Sequence, residues 1–137
     1  MSTEHEVSHG GVVVRGGDVA VITPRRSQVL GLPKGGGEAG ETGAQSAARE
    51  VREETGVTGE HVVLLGEVRY VYRRGGRQIL KTVHFHLFRY LSGDTADHDH
   101  EVDEARWIPL AEARTALTHP GEREMIGLAI SKLAADR

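Results

Sequence analysis

The apolar positions of this chain come in short bursts whose period changes along its length. Val12-Val13-Val14 and Val19-Ala20-Val21-Ile22 are β-branched runs on either side of Gly16-Gly17-Asp18, a pattern that predicts a hairpin. Gln28 to Leu32 predicts a short extended piece stopped by Pro33, and Gly35 to Gly43 is too rich in glycine for regular structure. The period then lengthens: Ala44, Ala47, Ala48 and Val51 recur at helical spacing. Thr42 with Gln45 three residues later forms a capping-box pattern at the start of that helix, and Gly56 suits its end. Val62 to Tyr72 and Gln78 to Tyr90 are longer strand-like runs joined by a turn at Arg73-Arg74-Gly75-Gly76-Arg77. After an acidic, loop-like stretch over 92–103, Ala105 to Ile108 predicts another short strand and Pro109 to Thr118 a short helix. Pro120 opens a final helix with Ile126, Ala129, Ile130 and Leu133 on its buried face. Residues 1–9 are polar and predict a frayed tail, leaving 10–137 as a single domain. Strands arriving in hairpins between helices predict a mixed α/β sandwich rather than a doubly wound sheet.

Composition narrows the chemistry. None of the 137 residues is cysteine, which removes disulfides, thiolate metal sites and thiol nucleophiles and fits a reducing, cytoplasmic setting. Apolar runs of four or five residues, such as Val62-Val63-Leu64-Leu65, are too short to span a membrane. The polar N-terminus lacks the basic-then-apolar order of a secretory leader. A net charge of −3 argues against nucleic acid as a partner. That average conceals segregation. Twelve of the 20 acidic residues lie in 38–60 and 94–104, whereas Arg69, Arg73, Arg74, Arg77 and Lys81 cluster on the long hairpin.

On the predicted helix Glu50, Glu53 and Glu54 stand at i, i+3 and i+4 and share one face, about a third of a turn from the alanine stripe. Arg49 can pair with Glu53, which leaves two carboxylates to attract a hard divalent cation. The stretch Gly35-x5-Glu41-x7-Arg49-Glu50-Val51-Arg52-Glu53-Glu54-Thr55-Gly56-Val57 resembles the Nudix box at every one of its nine defined positions. The likeness extends to Leu32-Pro33-Lys34-Gly35 before it and to Trp107-Ile108-Pro109-Leu110-Ala111-Glu112-Ala113 near the end.

The resemblance implies a Nudix-type α/β/α sandwich with a mixed sheet between helices. It also implies a hydrolase of phosphoanhydride bonds in nucleoside diphosphate derivatives, using Mg²⁺ with Mn²⁺ as alternative. By the same resemblance Glu50, Glu54, Glu53 and the Gly35 carbonyl are expected to hold the metal. Glu53 is the first candidate for the general base and Glu50 the second, with Arg49 orienting a catalytic glutamate and Glu41 tying the loop to the helix. Family members place a further acidic ligand on the loop before the tryptophan segment, which here singles out Glu101, six residues before Trp107. His98 and His100 are poorer candidates because Mg²⁺ prefers oxygen.

Lys34 is expected to contact phosphate, with Lys81 and Arg69 lining the substrate cleft. Thr82, His84, His86 and Phe88 alternate with Lys81, Val83, Phe85 and Leu87, so His84 and His86 share one face. Leu32-Pro33-Lys34-Gly35 and Val83-His84-Phe85 are most similar to the bacterial diadenosine polyphosphate hydrolases, which assigns Tyr72 to base stacking. The expected substrate is therefore a nucleotide or dinucleoside polyphosphate. Hydrolysis of oxidised triphosphates such as 8-oxo-dGTP is the alternative within the class, and a silent Nudix binding module the alternative outside it. Monomer and homodimer both stay open.

Overall fold

The computed structural model describes residues 3–135. Its elements are β1 (Glu4–Arg15), β2 (Asp18–Pro24), β3 (Lys34–Gly36), α1 (Gly43–Thr55), β4 (Val57–Arg74), β5 (Arg77–Gly93), β6 (Val102–Pro109), α2 (Leu110–Ala116) and α3 (Pro120–Ala135). The strands form one sheet in the order β4-β5-β1-β2-β6. β1 and β5 run parallel and the other pairings are antiparallel. β3 pairs with Ser8, His9 and Gly10, beyond the short stretch of β1 that β2 occupies.

Alternation along the strands builds two cores. Val12 and Val14 join Val83, Phe85 and Leu87 against α2 and α3, where Ala113, Leu117, Met125, Ile126 and Ala129 are buried. Val13 and Phe88 point the other way, onto Ala47 and Val51 of α1. A mixed sheet covered on both faces is the α/β/α sandwich that was expected. Thr42 and Gln45 form the capping box of α1, and Gly56 ends it at φ 78°. Among the described residues no helix is long and apolar enough to cross a membrane.

Three boundaries differ from the sequence reading. Residues 4–9 are not a tail: they belong to β1 and run beside Ile79 to His84 of β5. Met1 and Ser2 lie outside the described residues. The segment lacks an apolar stripe because pairing and charge hold it; Glu4 meets Arg77, and Glu6 meets Tyr72 and Arg74. Gly35 and Gly36, expected to be irregular, form β3 with Lys34, while Gln28 to Leu32 makes only an isolated bridge, Ile22 to Gly31. The long hairpin reaches further than its apolar runs, to a two-residue turn at Gly75-Gly76 with φ 56° and 78°.

His9, His84 and His86 gather on the α1 face with His61 of β4, whose Nε2 lies 2.8 Å from Nδ1 of His86. His86 is 7% exposed, and its Nε2 and the Nδ1 of His9 have no partner among the described residues. Burial, and then the proximity of His61, His9 and His84, pulls the His86 imidazole down to about 4. Between about pH 6.5 and 4 the unfolded chain therefore takes a proton that the folded one refuses, so stability falls as pH drops through that window. An NMR titration should find the His86 ring uncharged at pH 5. Titration near the ordinary imidazole value would mean that the cluster is open to water.

Candidate functional site

The three glutamates of α1 have different surroundings. Glu50 turns inward against β3, and a methyl group at Gly35 would sit 2.2 Å from its carboxyl carbon. Only glycine at position 35 lets the helix carboxylate reach the strand backbone. Glu54 reaches the same strand, where its Oε1 accepts a 2.9 Å hydrogen bond from the Lys34 amide. Glu53 stays 41% exposed. Arg49 ties the group together. Its Nε and Nη2 donate to Glu41, its Nη1 to Glu50 at 2.9 Å and to Glu53 at 3.3 Å, and its Nη2 also to the Gly36 carbonyl at 2.8 Å. Glu41 in turn accepts from Ser46 Oγ and the Glu38 amide, and Arg49 above all holds its carboxyl down at about 2. Glu41 is thus the tie between loop and helix that the box implied.

Burial pushes Glu54 up to about 7, with Glu50 and Asp99 adding to the rise and the Lys34 amide opposing it. Burial also raises Glu50; Arg49 opposes this, and Glu53 and Glu101 add to it. Asp99 and Glu101 belong to the acidic loop before β6, so the loop's charge is felt at the helix. That loop is docked through the Asp99 amide, which donates to the Glu53 carbonyl at 2.8 Å. It also packs on Gly56, where a methyl group would lie 2.3 Å from the Asp94 carbonyl. Glu101 itself is exposed, and its carbonyl accepts from the Arg25 amide.

Among the described residues no three acidic or imidazole side chains converge closely enough to hold a metal ion as they stand. Glu50 leans on Arg49 and Glu54 on the Lys34 amide instead. The donor set nevertheless fits a hard divalent cation. It consists of carboxylate oxygens crowded enough to raise one another's proton affinity, next to a glycine backbone that a helix carboxylate approaches closely.

Across β3 from the carboxylates lies a cavity of about 540 Å³, lined by Lys34, Tyr70, Val83, Phe85, His119 and Glu122 among others. Lys34 joins the two regions: its amide holds Glu54, and its ammonium, 2.9 Å from Glu122, faces the cavity. Lys81 is half-buried on the same face of β5 as Val83 and Phe85, and burial followed by the charge of Lys34 lowers its pKa. Arg69 reaches only the rim, exposed and paired with Glu67.

Tyr72 does not line this cavity, and its hydroxyl is engaged by Glu6 and Arg74; Tyr70, two residues earlier on the same face, lines it. Glu122 was not singled out from the sequence, although a signal was there. It stands three and four residues before Met125 and Ile126, so it is an acid on the buried stripe of α3 and needs a partner.

A mixed-sheet α/β/α sandwich with a glycine loop leading into a glutamate-bearing helix defines one class of domain. The NUDIX domain family model matches residues 5–128, and the chain belongs to that family. It is 42% identical over 149 residues to the putative mutator protein MutT4 of Mycobacterium tuberculosis, with 99% of this chain and 60% of that protein covered. It is 37% identical over 109 residues to the 8-oxo-(d)GTP phosphatase of Mycolicibacterium smegmatis, with 80% of this chain and 32% of that protein covered. The chain thus spans less than two thirds of the length of either relative. Among solved structures, a NUDIX hydrolase from Nitrosomonas europaea superposes with a TM-score of 0.74 at 23% identity, covering 94% of this chain and 90% of that one.

Proposed function

We propose that the protein is a divalent-metal-dependent hydrolase of a phosphoanhydride bond in a nucleoside triphosphate, with an oxidised purine nucleotide of the 8-oxo-dGTP kind as the preferred substrate. The observation that carries the reading is the junction at Lys34, where a cavity of about 540 Å³ adjoins the carboxylate face of α1. The name of the relative in Mycolicibacterium smegmatis, an 8-oxo-(d)GTP phosphatase, supports the triphosphate.

In this reading Glu50, Glu54, Glu53 and the Gly35 carbonyl would hold Mg²⁺, with Mn²⁺ as alternative, and Glu101 would join them from the acidic loop. The bound ion supplies neutralisation of phosphate charge and a lowered pKa of water. Glu53, the most exposed of the three helix glutamates, takes the proton of the attacking water, with Glu50 as the second candidate. Arg49 fixes the direction of both carboxylates. Lys34 and Lys81 bind phosphate oxygens while Tyr70 flanks the base.

A dinucleoside polyphosphate is the second reading, supported by Leu32-Pro33-Lys34-Gly35 and Val83-His84-Phe85. It is weakened by the engagement of Tyr72 with Glu6 and Arg74, which leaves one tyrosine rather than two to receive bases. Mg²⁺-dependent phosphate or pyrophosphate release should be measured on dGTP, 8-oxo-dGTP and diadenosine tetraphosphate. The expected order puts 8-oxo-dGTP first, and preference for the dinucleotide would reverse the two readings. No turnover of any of them, with nucleotide binding unchanged in Glu53→Gln, would make the domain a binding module.

A further inference from the structure

Glu122 is the one acid of α3 that is almost withdrawn from water, with its side chain 4% exposed. Both of its oxygens are used. Oε1 accepts from the Leu32 amide at 2.8 Å and Oε2 from the Lys34 ammonium at 2.9 Å. The residue before Leu32 is also confined, since a methyl group at Gly31 would stand 3.2 Å from Oε1. Just before α3, Thr118 adds a second fastening: its Oγ1 accepts from the Leu30 amide and its own amide donates to the Leu30 carbonyl, both at 2.9 Å. The segment from Leu30 to Lys34 is therefore suspended from the start of α3 on one face of the sheet. At its far end the Lys34 amide holds Glu54 of α1, which covers the other face.

We propose that Glu122 is a positioning residue for substrate phosphate: it acts through Lys34, fixing the ammonium at the mouth of the cavity and the strand that carries it. The inference rests on the hydrolase reading above. An unanchored lysine has a flexible four-carbon stem, and its rotamers must be frozen each time a phosphate is bound. Anchored by Glu122, the ammonium keeps two of its three donors for the ligand. Glu122 itself need not touch the substrate.

Glu122→Gln separates positioning from charge. Glutamine offers one acceptor oxygen in place of two, so either the Leu32 amide or the Lys34 ammonium loses its partner. If Glu122 acted only as a nearby negative charge, its neutralisation would draw the phosphates in and lower KM. If it positions Lys34, KM for the nucleoside triphosphate rises about tenfold with kcat within about threefold, consistent with lost uniform binding. Lys34→Met should raise KM at least as much, and the double variant should be no worse than Lys34→Met alone, since the two residues act as one unit. A lowered or unchanged KM in Glu122→Gln, or effects that add in the double variant, would overturn the proposal. The fastening is also readable without substrate. The Leu32 amide should exchange with solvent at least about tenfold faster in Glu122→Ala, or in Glu122→Leu, which fills the same space without an acceptor, should the alanine variant not fold. Unchanged protection overturns the proposal whether or not the protein turns over any nucleotide. A wild-type protein inert toward every nucleotide would overturn the hydrolase reading, and with it a role for Glu122 in phosphate binding.

Discussion

Glu54→Gln should lower kcat/KM at least about 100-fold, beyond what losing a mere outer-shell partner of a metal ligand costs, while leaving the fold intact. The side chain is isosteric, and its oxygen can still accept the Lys34 amide that Glu54 accepts now. In the metal-free protein burial pushes Glu54 up to about 7. As pH rises from about 4.5 to 7 the unfolded chain gives up this proton and the folded chain keeps it, so ionising Glu54 costs the wild type stability. Glutamine is spared that cost. Without metal the variant should melt at or above the wild type at pH 8 and close to it at pH 4.5. With Mg²⁺ present the order should reverse if Glu54 is a metal ligand as proposed, because ligand binding stabilises the folded state. Steady-state kinetics and melting curves at the two pH values, each with and without Mg²⁺, check both halves. Wild-type rates in Glu54→Gln would remove it from the metal site.

Arg49→Ala should be the most damaging substitution for stability among the charged residues of the box. The guanidinium is enclosed by Glu41, Glu50, Glu53 and the Gly36 carbonyl, and burial is outweighed by these partners so that its pKa lies above the ordinary value. Alanine leaves Glu50 beside the Gly35 backbone without its cation, and a buried acceptor left unpaired costs about 1–3 kcal/mol. For a domain of this size that corresponds to a fall in Tm of about 3–10 °C. Arg49→Lys keeps the charge but not the fork that reaches Glu41 with two nitrogens and Glu50 with a third, so it should fall between the two. Saturating Mg²⁺ should return part of the loss, since a second cation then meets the same carboxylates. An unchanged Tm in Arg49→Ala would mean that the carboxylates relax into solvent on their own.

Most of what bears on chemistry was legible where it depends on neighbours along the chain. The spacing of Glu50, Glu53 and Glu54 defines one helix face whatever surrounds it, and Thr42, Gln45 and Gly56 mark the ends of that helix by local hydrogen bonding and backbone freedom. The hairpin turns at Gly16-Gly17 and Gly75-Gly76 are local in the same sense. The tail assignment failed because Glu4 to His9 become a strand only beside Ile79 to His84, and a strand fastened by pairing and by Glu–Arg contacts needs no apolar alternation. Tyr70 and Tyr72 are indistinguishable by period; what separates them is Glu6, brought up by that same parallel pairing.

Sequence alone thus determined the family, the helix that carries the carboxylates and the residues of the box, because their arrangement follows from 3.6 residues per turn and a glycine loop. Tertiary structure alone decided which side chains meet that helix. Lys34 links Glu54 to Glu122, Asp99 docks the acidic loop on Glu53, and Tyr70 rather than Tyr72 faces the cavity. Each of these joins elements distant in sequence, where the only constraint is how the two faces of one sheet are covered.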